Sequence, residues 1–339
     1  MKVMVIGGGL FGVHIANTIS KQVEKVDIFE YSSELFSGAS SNNQHRFHVG
    51  LHYPRSDETI QQIKSVMPSF YDEFGDCIFP IDKNIYLIEK ESKTTATEFY
   101  RKFIDSCNRY DKRPLREYVN FDKIDDCFLT CEKGLDLTKI KSKLTNKLSK
   151  HANVSVIFNC KEVEKHFKDY DLVANCSYWS ANLTSDLKIK YELCALVRME
   201  MQDWDFEQYS FTVMDGEFPS LYKTETPKIY TLSSVPNTPF FRTEDRELFK
   251  KTMVGIRKDF DLTKVNEKII NHGKEYFKLG NVRYLDSYIS PKIKLLDDTN
   301  DKRTSEMIVN GKFITLLQGK ISTLSDVASK VSKAIDERN

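Results

Sequence analysis

No hydrophobic run in this chain approaches the roughly 18 apolar residues of a membrane span. The apolar part of MKVMVIGGG is too short for a secretory leader and runs straight into glycines. Charge of one sign is also missing. Fifty Lys and Arg against 49 Asp and Glu leave a net +1, so no global field draws nucleic acid or an anionic membrane. There is no CxxC pair: the seven cysteines (Cys77, Cys107, Cys127, Cys131, Cys160, Cys176, Cys194) are odd in number and scattered. That usage fits free thiols in a reducing cytosol better than a disulfide framework. Internal repeats and low-complexity linkers are absent too. What remains is a soluble, cytoplasmic globular protein with no membrane span and no nucleic-acid partner. At 339 residues it is long enough for two lobes and a substantial core.

The first thing present is a phosphate cradle. KVMVI (2–6) reads as a strand, Gly7, Gly9 and Gly12 follow as G-x-G-x-x-G, and LFGVHIANTISKQ reads as a helix. KVDIFE is a second strand ending on Glu30. Gly7 permits the tight turn, Gly9 lets a pyrophosphate approach the backbone, and Gly12 lets helix and strand pack closely. The helix N-terminus offers free N–H groups to phosphate, and Glu30 can accept from the adenosine ribose hydroxyls. An acid at that point repels a 2′-phosphate, which disfavours NADP. The motif leaves FAD and NAD open.

Further along, Ser56 to Phe74 reads as a helix with Asp57 and Glu58 in its first turn and a kink at Pro68. Residues 84–89 read as a strand, 94–107 and 137–148 as helices, and 154–158 and 169–177 as strands. Between about 190 and 300 strand-like segments (YELCALVRME, YSFTVM, IYTLSS) alternate with turns such as Asp215-Gly216 and Pro236-Asn237. That pattern predicts an antiparallel sheet with a few helices, one over 243–258. FITLLQ (313–318) and a helix from about Ser322 to Glu337 return to α/β character. A β-rich lobe therefore interrupts a nucleotide-binding lobe.

Residues 42–55, NNQHRFHVGLHYPR, hold three of the seven histidines. From Arg46 to Tyr53 the chain alternates: Phe47, Val49, Leu51 and Tyr53 on one face, Arg46, His48, Gly50 and His52 on the other. Period two predicts a strand with one buried apolar face and one cationic face, opened by Gly50 for a flat ring. A helical metal site on His45, His48 and His52 is opposed by Gly50 and Pro54, with no acid or cysteine to complete it, so no metal is expected.

Four segments in this order resemble the D-amino-acid-oxidase-like FAD-dependent oxidoreductases, which include glycine and sarcosine oxidases and 2-hydroxyglutarate oxidases. They are GASSNNQHRFHVGLHYPRS (38–56), GLDLTKIKSKL with DYDLVANCSYWSAN, FTVMDGEFPSLYK, and FITLLQGKISTLSDVA. Two departures stand out: Ser177-Tyr178 replaces an expected glycine, and the last motif keeps only Gly319. The resemblance implies an α/β fold, a Rossmann-like FAD-binding lobe with an inserted, mainly antiparallel substrate lobe. The expected boundaries are 1–80, 130–185 and 305–339 for the first lobe, and 81–129 and 186–304 for the second.

It implies FAD contacts at Gly7, Gly9, Leu10, Phe11, Gly12, Glu30, Ser41, Asn42, Arg46, Val163, Cys176, Trp179, Gly319, Lys320, Ile321 and Ser322. His48 is the expected proton acceptor, because a near-neutral imidazole suits that work. Arg46 and Lys320 would stabilise negative charge on a reduced flavin. His52, Tyr53, Tyr222 and Arg303 are weaker candidates for the substrate side. Structural histidines, an interlobe ion pair for Arg46 and a solvated Lys320 are the plainer alternatives. The implied activity is removal of a hydride from a CH–OH or CH–NH carbon of a small polar substrate, with oxygen or a carrier taking the electrons. An NAD-dependent dehydrogenase, or a flavin- or nucleotide-binding protein without redox turnover, are the rivals.

Overall fold

In the computed structural model, residues 1–202, 208–256, 260–296 and 304–338 are described. The first apolar run, Lys2–Ile6, is the centre of a six-stranded sheet and is buried on both faces after its first residue. On one side it pairs in parallel with Lys25–Phe29, which pairs in turn with Val154–Ile157. On the other side come Leu172–Asn175 and Phe313–Leu317, both parallel, and then Glu306–Asn310, antiparallel, at the edge. Strands covered on both faces need continuous apolar sequence, and these have it. The helix Leu10–Ile19 packs between helices Leu137–Leu148 and Leu324–Asp336 on one face of the sheet. Val13, Ile140, Leu144, Val331 and Ile335 are all buried there.

The cap residues start the helices where the sequence predicts. Ser56 accepts from the Thr59 N–H to open Asp57–Phe74, which carries Pro68 internally. Asp136 accepts from Lys139 N–H to open Leu137–Leu148. Such caps satisfy N–H groups that have no partner inside the helix.

The second sheet has nine strands. Ile189–Met201 pairs along one edge with Val282–Leu295 and along the other with Ile229–Ser234 and Pro239–Thr243. Outward from Ile229–Ser234 follow Pro219–Lys223, Tyr209–Met214, Lys83–Glu89, Ile124–Thr130 and Cys107–Arg109. The pairing is antiparallel except between Tyr209–Met214 and Lys83–Glu89, which run parallel. A three-stranded sheet made of Arg46–Phe47, Lys133–Leu135 and Ile78–Phe79 is the third.

Three expectations need correction. The strand expected over Arg46–Tyr53 is only Arg46–Phe47. Gly50 then takes φ +107, the Tyr53 N–H donates to Gly50 O at 3.0 Å, and the chain turns. A Cβ at Gly50 would touch Ile60 at 3.4 Å, so this glycine serves a left-handed turn against the helix Asp57–Phe74 rather than the approach of a ring. The helix expected over 94–107 covers Ala96–Lys102, because the chain leaves helical angles at Phe103 and begins a strand at Cys107. The last helix starts at Leu324, after a tight turn at Ile321–Thr323. Among the described residues no helix is long and apolar enough to cross a membrane.

Gly12 is where the nucleotide turn is tightest: a Cβ there would lie 1.8 Å from Gly7 O, whereas one at Gly38 would meet nothing within 4 Å. Gly12→Ala should therefore cost about 2–4 kcal/mol of stability, and Gly38→Ala less than about 0.5 kcal/mol. Chemical denaturation of the two variants measures both; equal stability would contradict the packing.

Candidate active site

Gly7 sits at φ +100, and a Cβ on it would come within 2.9 Å of Ser177 Cα. The turn is thus pressed between the first strand and the end of Leu172–Asn175. Gly9 precedes the first helical residue with no side-chain cap, although Ser40 Oγ accepts from the Leu10 N–H at 3.0 Å. Glu30 accepts from the Gly8 N–H at 2.6 Å and from the Ser32 N–H at 2.7 Å, so its carboxylate braces the loop as well as facing it. Phe11 and Gly12 complete this end, and Val163 is buried beside it against Phe29 and Ile6. Ser41 and Asn42 line the next segment. Ser41 Oγ donates to Phe36 O, and Asn42 donates to Ile289 O at 2.9 Å, across to the nine-stranded sheet.

The second end gathers charge. Arg46, only 8% exposed, lays its guanidinium over the Tyr222 ring at 4.1 Å and donates from Nη1 to Thr212 Oγ1 at 3.0 Å. Its Nε and Nη2 are buried with no hydrogen-bond partner. The Lys320 Nζ lies 4.3 Å over the Tyr53 ring. Burial, followed by the repulsion of Arg46, pushes the Lys320 ammonium down to about 7. The His48 and His52 rings stand 5.3 Å apart. Burial drives both imidazoles well below their ordinary range; Lys320 and Arg46 add to it at His48, and His48, Arg46 and Lys320 at His52. Both are therefore neutral at pH 7, and weaker bases than the near-neutral imidazole expected from the sequence.

Beneath the imidazoles lies a carboxylate that the sequence reading missed. Glu132, side chain fully buried, reaches within 3.5 Å of His48 Nδ1. It accepts from Tyr86 Oη at 2.5 Å and from the Val49 N–H at 3.0 Å. Burial lifts its pKa, against the pull of Tyr86, His52, Val49 and Arg46. A sheet register brings it here, and no local motif announces it.

Gly319, Lys320, Ile321 and Ser322 form the turn that carries Lys320, with Gly319 N–H donating to Ser305 Oγ at 2.7 Å and Ser322 Oγ buried without a partner. Tyr222 stands behind Arg46 rather than on the cleft surface: it is fully buried, accepts from Asn84 and donates to Lys133 O. Cys176 is a core residue, and burial raises its thiol pKa strongly. Trp179 packs edge-on to Tyr31 at 6.0 Å, beside Glu30. Tyr178, in place of the expected glycine, keeps glycine-like angles (φ +59), and its Oη accepts from the Ile293 N–H at 3.3 Å. His45, at φ +54, pairs with Glu225 of the other sheet through Nδ1. Arg303 lies outside the described residues. Among the described residues no group of three or more His, Cys, Asp or Glu could hold a metal ion.

A parallel sheet carrying a glycine turn is thus joined to a mainly antiparallel sheet, with Arg46, His48, His52 and Lys320 buried together, and this fold is shared with several known oxidoreductases. Known proteins agree with the resemblance read from the sequence. Glycine oxidase from Geobacillus kaustophilus superposes with a TM-score of 0.68 at 14% identity, covering 99% of this chain and 94% of that one. L-α-glycerophosphate oxidase from Mycoplasma pneumoniae, with FAD bound, gives 0.70 at 14% identity, covering 98% and 94%. In sequence, the FAD-dependent monooxygenase FPY4 of Fusarium mangiferae is 27% identical over 99% of this chain and 91% of its own. No family model matches the chain.

Lys320 supplies a pH test. Its pKa is depressed in the folded state, so the cost of holding it charged is fully present below about pH 7. That cost is relieved as pH rises from there toward the unfolded value near 10. Lys320→Met should raise the melting temperature of the cofactor-free protein by about 2–5 °C at pH 6, with the gain vanishing by about pH 10. Calorimetry at the two pH values checks it.

Proposed function

We propose that this chain is an FAD-dependent oxidoreductase that takes a hydride from a CH–OH or CH–NH carbon of a small polar substrate, an amino acid, hydroxy acid or sugar derivative. The observation that carries the reading is the buried Arg46, with two unpartnered nitrogens and, among the described residues, no carboxylate in ion-pair range, beside Lys320 and two neutral imidazoles. Positive charge held this way suits a partner that becomes negative during turnover.

The residues present fit FAD. The Gly7–Gly12 turn has no room for side chains at Gly7 or Gly12, and Glu30 closes the second strand. Leu10, Phe11, Val163 and Trp179 would flank the adenosine half. Ser41, Asn42 and Gly319 to Ser322 would follow the chain toward the ring system. When bound, FAD supplies a two-electron acceptor for the hydride. Residues 1–80, 130–185 and 305–339 make up the proposed cofactor lobe, and 81–129 and 186–304 the substrate lobe.

His48 takes the substrate's proton: its imidazole is neutral at pH 7, so a base is ready without a prior deprotonation. Arg46 and Lys320 offset the negative charge that builds up opposite them. Oxygen or a carrier is the electron acceptor. The glycine- and glycerophosphate-named oxidases with this fold support both C–N and C–O substrates.

Purified protein should take up FAD at one per chain, and an anaerobic panel of amino acids, hydroxy acids and sugars should contain a compound that bleaches it. Failure to bind FAD, or uptake of NAD instead, would overturn the reading. With a hydroxy substrate, His48→Ala should lower turnover roughly 10²–10⁴-fold. A loss below about threefold would remove His48 from the chemistry.

A further inference from the structure

The strand Lys133–Leu135 pairs antiparallel with Arg46–Phe47, Arg46 opposite Gly134 and Phe47 opposite Lys133. One step further along that register, Glu132 falls opposite His48. On the strand's other side Gly134 leaves room for the Phe79 ring, which a Cβ there would meet at 2.0 Å. The register therefore delivers an acid, from a segment over 80 positions away (|i−j| 83 to Val49), directly beneath the imidazoles. Its carboxylate is completely buried, and its hydrogen-bond donors are Tyr86 Oη and the Val49 N–H, both neutral. An ionised carboxylate in such a place is costly unless a charged or strongly donating group completes its shell.

We infer that Glu132 is the positioning residue for the proton-accepting histidine: it fixes the His48 ring through Nδ1 and holds the imidazolium when Nε2 is protonated. The inference rests on the reading of His48 as the substrate's base. The groups facing this imidazole are Glu132, His52, Arg46, Lys320 and Tyr53, with Tyr86 on the far side of the carboxylate. Arg46 and Lys320 make a protonated His48 unfavourable; Glu132 is the one carboxylate among these groups, 3.5 Å from His48 Nδ1, and it also favours the charged form of His52. At rest the carboxylate is 3.5 Å from Nδ1, and no full hydrogen bond is formed. Such catalytic contacts commonly tighten only when the reacting charge develops.

In the step itself the substrate O–H bond breaks and its proton goes to His48 Nε2. The bonding pair stays on oxygen and becomes the second bond of the carbonyl as the hydride leaves the carbon for the bound FAD. The Nδ1 proton stays on the ring, facing Glu132. No proton passes to the carboxylate, and the charge created is one imidazolium against one carboxylate. Glu132 thus raises the basicity that Arg46 and Lys320 lower.

The test compares flavin reduction by the bleaching substrate in wild type, Glu132→Gln and Tyr86→Phe holoenzymes, over a pH range that reaches about two units below the wild-type acid limb. Removing the negative charge should move the acid limb of the rate profile to lower pH by about one unit and lower the plateau about 10–100-fold. Tyr86→Phe removes the hydroxyl that holds the Glu132 carboxylate ionised, so it should move the limb the same way but less far. Long-range proton–nitrogen spectra of histidine-labelled wild-type protein should show the resting His48 proton on Nδ1; this needs no variant to fold. An unmoved limb in Glu132→Gln, a larger shift in Tyr86→Phe than in Glu132→Gln, or a resting proton on Nε2 would overturn the assignment. If His48→Ala keeps full turnover, the base reading itself fails. If His48→Ala is crippled while the Glu132→Gln limb stays put, only the role of Glu132 fails.

Discussion

Between the two large sheets this protein keeps positive charge away from water without neutralising it. Removing an ion from water costs several kcal/mol unless paired, and among the described residues no carboxylate lies in ion-pair range of Arg46. It is held instead by an aromatic face and one hydroxyl, Tyr222 and Thr212, both on strands of the nine-stranded sheet. Lys320 sheds part of the burden by giving up its proton near neutrality, and the two imidazoles shed theirs entirely. Arg46 cannot, because a guanidinium stays protonated at any accessible pH. The site therefore holds a guanidinium without a direct ion pair among the described residues, with Glu132 the carboxylate nearby.

That constraint explains why the site is built across lobes. The glycine turn and Glu30 belong to one sheet, Arg46 and His48 follow it, Lys320 arrives from the last strand–helix turn, and the roof belongs to the other sheet. Asn42, His45 and Tyr178 each send a polar contact across to that roof, to Ile289, Glu225 and Ile293. Two of these three residues, His45 and Tyr178, hold left-handed angles unusual for their type, and such backbone cost gathers where a fold must place groups accurately.

Much of this was legible in the sequence, for a physical reason. The nucleotide turn is contiguous, and the pattern from Lys2 to Glu30 states its strand, turn, helix and acid in order. Arg46, His48 and Lys320 were legible as types at family positions. Glu132 was not, because a register between two very short strands sets its place, and a lone Glu after Cys131 carries no periodicity. The strand Val282–Leu295 escaped for a related reason: partly exposed along its length, with Ser, Pro and Lys inside it, it shows no alternation of apolar and polar residues. The alternation in Arg46–Tyr53 misled in the opposite way. Both of its faces are covered, and Gly50 turns the chain where period two implied an extended strand.

The central proposal is that the Arg46 cation would meet negative charge on a reduced flavin. Its most direct measure is the two-electron reduction potential of the FAD-loaded protein, compared with Arg46→Met under conditions where both retain FAD. Loss of the cation should lower the potential by about 30 mV or more, equivalent to at least about 1.4 kcal/mol of lost stabilisation of the reduced form. A potential that is unchanged, or that rises, would contradict the account.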